Sequence, residues 1–310
     1  MKKLSLLLLV GLLISLSYQT EAQRITRDEL IYLTSEWKGE RFPDGRPKVS
    51  DELIERARKI DFADAWQVLY TAGYTTQFDG GYKFVHDNMR ITGRVVTATF
   101  LPTRPDLEKS IKERGWNEGF TGNTNAWPIQ LLEKGDVYVA SCFGKIDAGT
   151  MIGSNLGTTI FSKTGEGVIF DAAARDVDDM TTVGDGRFNV AVREFHPSFL
   201  RDVVLTGLNT PTRIGIAIAM PGDIVITDRS GVLFIPAHMA QEVIETSEFI
   251  AVRDVFSKYV LSRGIYTAGQ IDSEWTPAIR EHFERFIREN PQLPQLTKAE
   301  IDRFMERRTW

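Results

Sequence analysis

The stretch Gly149–Asp179, GTMIGSNLGTTIFSKTGEGVIFDAAARDVDD, holds a glycine turn, a helical pattern, a second glycine and an apolar run in succession. Ser154 or Asn155 can cap a helix that opens at about Leu156. Gly165 suits the left-handed position that ends it. Gly153 lets the backbone come close to a ligand. Gly167–Asp171 (GVIFD) is expected to be a strand, with Ala172–Ala174 leading the chain off its end. Arg175 and Asp176 then fall beyond the carboxyl end of that strand, where open α/β sheets bind ligands. A helix start offers unpaired N–H groups and partial positive charge. A guanidinium can grip a carboxylate with two parallel bonds, and an aspartate is a hard oxygen ligand for a divalent cation. The expected site therefore joins a backbone cradle (Gly153, Ser154, Asn155, Leu156) to Arg175 and Asp176. The competing reading is a surface turn in which Arg175 and Asp176 pair with neighbours.

Outward from this stretch the pattern is α/β. Gly93–Phe100, Asp136–Cys142, Asn189–Phe195, Arg213–Ile218, Asp223–Thr227 and Gly231–Ile235 are further expected strands. Before them, Thr26 and Ser50 can each cap a helix with acids in its first turn. Trp37–Lys48 is a connector rich in Gly, Pro and charge, and Phe62–Tyr74 has helical spacing. The tail from Gln241 turns helical, with starts at Thr276-Pro277 and Leu296-Thr297. The expected division is a signal segment at 1–22, a helical arm at 23–61, an α/β domain at 62–238 and a helical tail at 239–310.

Met1–Gln23 has Lys2 and Lys3, an apolar run Leu4–Leu16, and small residues Thr20 and Ala22 before a cleavage point. This is the pattern of a secretory signal, too short to span a bilayer. An exported chain, periplasmic or secreted, with no stable membrane span after cleavage, is the expectation. The 310 residues carry a net charge of −5, with no basic footprint for nucleic acid. The single cysteine, Cys142, excludes an internal disulfide framework and Cys-rich metal sites. None of the four histidines is spaced as H-E-x-x-H.

Several motifs resemble the RraA-like family, which includes the 4-hydroxy-4-methyl-2-oxoglutarate aldolases. Gly153-Ser154-Asn155-Leu156 is similar to its Gly-x-x-Leu loop, and Asp171-Ala172-Ala173-Ala174-Arg175-Asp176 to its D-(G/A)-x-x-R-D strand end. Gly93–Ala98 is similar to an early G-x-A-V-T strand. Pro221–Asp228 with Gly231–Pro236 is similar to the closing strands. The resemblance implies a swivelling β/β/α domain, here with added N-terminal and C-terminal helical segments. It implies trimers or hexamers with sites between subunits, and a class II lyase dependent on Mg²⁺ or Mn²⁺. Substrates of that class are small oxo-acids, cleaved to pyruvate, with oxaloacetate decarboxylation as a companion reaction. By position, Arg175 would hold the pyruvyl carboxylate and oxo group, Asp176 would anchor the metal largely through water, and the Gly153–Leu156 backbone would cradle the carboxylate. The alternative within the family is a non-catalytic binding or regulatory protein.

One position departs from the aldolase pattern. Where it places an aspartate, twenty residues before the Arg-Asp pair, this chain has Ser154. Proton transfer would then fall to Asp147, Asp171 or a metal-bound water. Lys145 is a candidate substrate contact or Schiff-base lysine. Cys142 reads as a buried small residue, and His86 as structural or as an acid–base group. His282 reads as solvated, and the dispersed tryptophans as packing residues. No G-x-G-x-x-G loop follows a strand, which argues against a methyltransferase.

Overall fold

The computed structural model describes residues 24–306, so the expected signal segment lies outside the described residues. The Val-, Ile- and Phe-rich runs form β1 (Phe78–Gly80), β2 (Lys83–Phe84), β3 (Thr92–Pro102), β4 (Asp136–Thr150), β5 (Val168–Ala174), β6 (Val190–Phe195) and β7 (Val203–Leu208). They continue as β8 (Thr212–Ile214), β9 (Ala217–Ala219), β10 (Ile224–Asp228) and β11 (Gly231–Ile235). Nine of them make one mixed sheet in the order β1-β11-β10-β3-β4-β5-β6-β2, with β7 on β3, and β8–β9 form a separate hairpin. Strands β3 to β6 are parallel to their neighbours in the centre.

Alternation along β5 shows how the sheet is buried on both sides. Val168 and Phe170 enter one core with Ile160 and Phe188; Ile169 enters another with Ile214 and Ala217. Helices α1 (Arg27–Leu33), α2 (Asp51–Ala57) and α3 (Phe62–Thr71) start at Thr26, Ser50 and Asp61, each capping with its side chain. Ile54 and Leu69 from these helices bury against Ile226 and Leu233 of the sheet and Val243 of a later helix.

The middle helices are α4 (Pro105–Asn117), α5 (Trp127–Leu131), α6 (Ser154–Thr164) and the single turn α7 (Val177–Met180). After β11 come α8 (Ala240–Ser262), α9 (Ala268–Ile271), α10 (Pro277–Glu289) and α11 (Lys298–Glu306). These last helices share their own aromatic core, in which Phe256 meets Phe283 and Phe249 stacks on Phe304. His282 is not solvated as expected: its Nδ1 lies 3.1 Å from the Tyr266 hydroxyl and its ring packs on Phe256.

Three local expectations are corrected. Strand β5 runs on to Ala174, because Met151 N–H and His196 N–H donate to the Ala173 and Ala174 carbonyls at 2.8 and 2.9 Å. Arg213–Ile218 is two strands, split by a turn at Gly215, where φ is +60°. The polar connector contributes a core residue: Arg46 is 1% exposed, and its guanidinium donates to both Asp136 carboxylate oxygens, at 3.1 and 3.2 Å. Strand β7 and helices α4 and α5 were not expected from the sequence.

Candidate active site

The ends of β4 and β5 position the site. Arg175 N–H donates to the Ile152 carbonyl at 3.1 Å, and this ladder bond sets Gly153 beside the Arg175–Asp176 pair. A Cβ on Gly153 would overlap Asp176 Oδ2 and stand 3.0 Å from Arg175 Nε. The glycine is needed for space and not for conformation, since its φ is −122°.

Gly153, and neither Ser154 nor Asn155, occupies the N-cap position of α6, and no side chain of its own segment caps the helix. The cap comes from Asp176, whose Oδ2 accepts the Ser154 N–H at 3.2 Å. Gly165 ends the helix in the left-handed conformation, φ +73°, as expected. The first helical bond runs from Gly157 N–H to Gly153 O, so the Asn155 and Leu156 N–H groups precede it and have no carbonyl in their own helix.

Asp176 itself is left-handed, with φ +61° and ψ +43°. Asp tolerates this region better than most residues, yet it costs about 1–2 kcal/mol. Its Oδ2 also lies 3.6 Å from Arg175 Nε, and both side chains are about one-third exposed (35% and 36%). Oδ1 makes no hydrogen bond or ion pair among the described residues.

Gly153, Asn155, Leu156, Arg175 and Asp176 line one cavity of about 450 Å³; Ser154 contributes its N–H to Asp176 but does not line it. Two other segments complete the walls. Asn123 and Asn125 come from the loop before α5, and Asn125 Nδ2 donates to the Met151 carbonyl at 2.6 Å. Phe199, 60% exposed, stands at the cavity with Arg175 Cζ 5.0 Å and Arg201 Cζ 5.7 Å from its ring. Its loop is pinned to β4: Ala148 N–H donates to Ser198 Oγ, and Arg201 N–H to Ala148 O, each at 2.9 Å. The Gly122-Asn123-Thr124-Asn125 turn was the available sequence signal for the first wall. Phe199 and Arg201 carried none.

The other candidate groups lie elsewhere. Asp171 faces the opposite side of the sheet, where its Oδ1 accepts from Arg193 Nε at 2.6 Å and Arg193 also pairs with Asp79. Asp147 is exposed on β4 and does not line the cavity. Lys145, on β4 opposite Ala172, and His86, beside Asn189, do not line it either. Cys142 is buried, and burial pushes its thiol up to about 12, so it is no nucleophile. Among the lining residues Arg175 and Asp176 are the only ionisable groups.

A family model described as RraA-like, Aldolase/RraA, matches residues 47–234, well over half of the chain. The chain belongs to the RraA-like family. Several solved structures share the fold. One is RraAS2 of Streptomyces coelicolor, described as an unusual member of the RNase ES inhibitor RraA protein family. It is 21% identical over 69% of this chain and 100% of its own, with a TM-score of 0.58. Another is an uncharacterized protein of Pseudomonas syringae pv. tomato, 20% identical over 75% of this chain and 98% of its own, also with a TM-score of 0.58. No curated protein matches the chain. RraA-like proteins include divalent-metal-dependent aldolases and decarboxylases as well as non-catalytic RNase E inhibitors, and they are commonly oligomeric.

The RraA-like site can be tested against the metal its lyase members use. Among the described residues no group of three or more His, Cys, Asp or Glu converges. Asp176 supplies one partly exposed carboxylate with Oδ1 unengaged. That donor set fits a cation that keeps most of its water, as Mg²⁺ does. It does not fit a closed zinc cage.

Proposed function

We propose that this RraA-like chain is a divalent-metal-dependent carbon–carbon lyase acting on a small oxo-acid, and that its reaction is decarboxylation of a β-oxo-acid such as oxaloacetate. One observation carries the reading: Arg175 and Asp176 line one cavity with Asn155 and Leu156, whose amides have no carbonyl partner in their own helix. The substrate carboxylate accepts from those amides and from Arg175. The bond to the second carboxylate breaks, its electron pair moves toward the oxo oxygen, and carbon dioxide leaves. Arg175 faces the charge that develops on that oxygen, and the carbon then takes a proton from water. A Mg²⁺ or Mn²⁺ held by Asp176 would supply Lewis-acid polarisation of the same oxygen.

Ser154 supports decarboxylation over aldol cleavage. Aldol cleavage must remove a hydroxyl proton and needs a base. Departing carbon dioxide carries no proton, so the step proceeds without the carboxylate that Ser154 replaces. Arg201 across Phe199 offers a second guanidinium, suited to a dianionic substrate. The same absence of a second acid favours one alternative, a non-catalytic binding protein.

The proposal extends to export, on the Lys2-Lys3, Leu4–Leu16 and Ala22 pattern, and to a homo-oligomer, trimer or hexamer, as in the family. The test is pyruvate release from oxaloacetate with Mg²⁺ or Mn²⁺, before and after chelation. Release should require metal and fall at least about a hundredfold in Arg175→Ala and in Asp176→Ala. Release indifferent to chelator overturns the metal dependence and favours the lysine route; no release while oxaloacetate still binds overturns the lyase.

A further inference from the structure

We propose that a second cavity, of about 310 Å³, between the N-terminal arm and the end of β11, binds a small organic cation, an alkylammonium with an apolar body. It shares no lining residue with the Arg175 cavity.

Its walls are aromatic. Trp37, Tyr74 and His238 all line it. The indole is held in place: Trp37 Nε1 donates to the Glu40 carbonyl at 2.8 Å, and Gly39 leaves no room for a Cβ beside the ring. The Tyr74 hydroxyl lies 2.8 Å from His238 Nε2, with the two rings 5.9 Å apart and tilted by 56°. Partial burial pulls the His238 pKa down, more than Glu36 raises it, which favours the neutral imidazole. Leu33, Met220 and Pro236 add apolar surface.

Its charge is one-sided. No Lys or Arg lines this cavity; the acids are Glu36 and Asp223. Asp223 is buried, its Oδ2 accepts the Met220 N–H at 2.9 Å, and desolvation pushes its carboxyl up to about 8. Glu36 is exposed and makes no ion pair or hydrogen bond among the described residues. An unpaired carboxylate beside π faces attracts a positive ligand and repels a carboxylate, and the guanidinium of Arg41, behind this wall, is spent on the Thr34 and Trp37 carbonyls at 2.8 and 3.1 Å. The cavity is therefore no second copy of the Arg175 site.

Choline and its neutral carbon isostere, 3,3-dimethylbutan-1-ol, separate charge recognition from apolar filling. Calorimetric titration of the full protein should show choline binding at least about tenfold tighter than the isostere. Glu36→Gln, at an exposed position that leaves the fold intact, should erase most of that preference. Trp37→Leu should weaken choline by a further factor of about ten or more. Equal affinity for the two probes, no choline binding, or an unchanged preference in Glu36→Gln overturns the proposal. None of these outcomes bears on pyruvate release.

Discussion

Asp176 caps a helix that begins twenty-two residues before it, its Oδ2 accepting the Ser154 N–H at 3.2 Å across the space left by Gly153. The carboxylate thus ties the start of that helix to its own unengaged Oδ1, the oxygen proposed to hold the metal. Gly153→Ala forces the two apart. It should lower stability by about 1–3 kcal/mol, as overpacking does, and remove pyruvate release. Asp176→Asn keeps a carbonyl at the cap and removes only charge. It should shift stability by no more than about 1 kcal/mol yet abolish release. Thermal unfolding beside the pyruvate assay separates the two variants.

Ser154 stands where the resemblance to the aldolase pattern leads one to expect an acid, and its N–H already touches Asp176. Ser154→Asp places a second carboxylate against the first, which makes one of them hold a proton more readily. The variant should gain cleavage of hydroxy-oxo acids at least about tenfold over the parent, with no matching gain on oxaloacetate. Parallel assays on both substrates check it. A gain on neither overturns the reading that the missing acid at position 154 is what blocks aldol cleavage.

The Arg46–Asp136 pair ties the arm to the start of β4 with both groups buried. Arg46→Met strands Asp136 without a counter-charge and should cost about 3–5 kcal/mol. Arg46→Met combined with Asp136→Leu should recover most of that loss. Urea unfolding of the single and double variants measures the difference.

Asp223 gives stability a pH dependence. Burial raises its carboxyl from 3.8 to about 8, so the folded chain keeps a proton that the unfolded chain releases between those values. Its contribution is complete below pH 3.8, declines as pH rises, and is gone above about 8. Asp223→Asn removes the titration. Its stability curve should fall less steeply between about pH 5 and pH 8, by about one proton's slope. Urea midpoints across that range would refute the assignment if the two curves ran parallel.

Much of this was legible in the chain itself. Period-two alternation announced β3, apolar runs bounded by Gly, Asp or Pro announced β5, β10 and β11, and Thr26, Ser50 and Gly165 marked helix ends by local chemistry. Local chemistry also misled. Ser154 has the right side chain for a cap, but the preceding glycine admitted a stronger acceptor from Asp176. Asp171 is close in sequence to the site, yet strand alternation turns it to the other face, onto Arg193.

The sequence by itself determined the family, the order of the central strands with the helix between β4 and β5, and the Arg175–Asp176 pair, because each is written in short-range pattern. Only the tertiary structure decided that Asn125 and Phe199 line the cavity with that pair, that Arg46 is a core residue, and that Trp37, Tyr74 and His238 line a second cavity. The reason is sequence distance. Tyr74 and His238 meet across 164 residues, and Arg46 and Asp136 across 90. Contacts at such range are set by which strands pair and which faces they bury, and no local pattern records that.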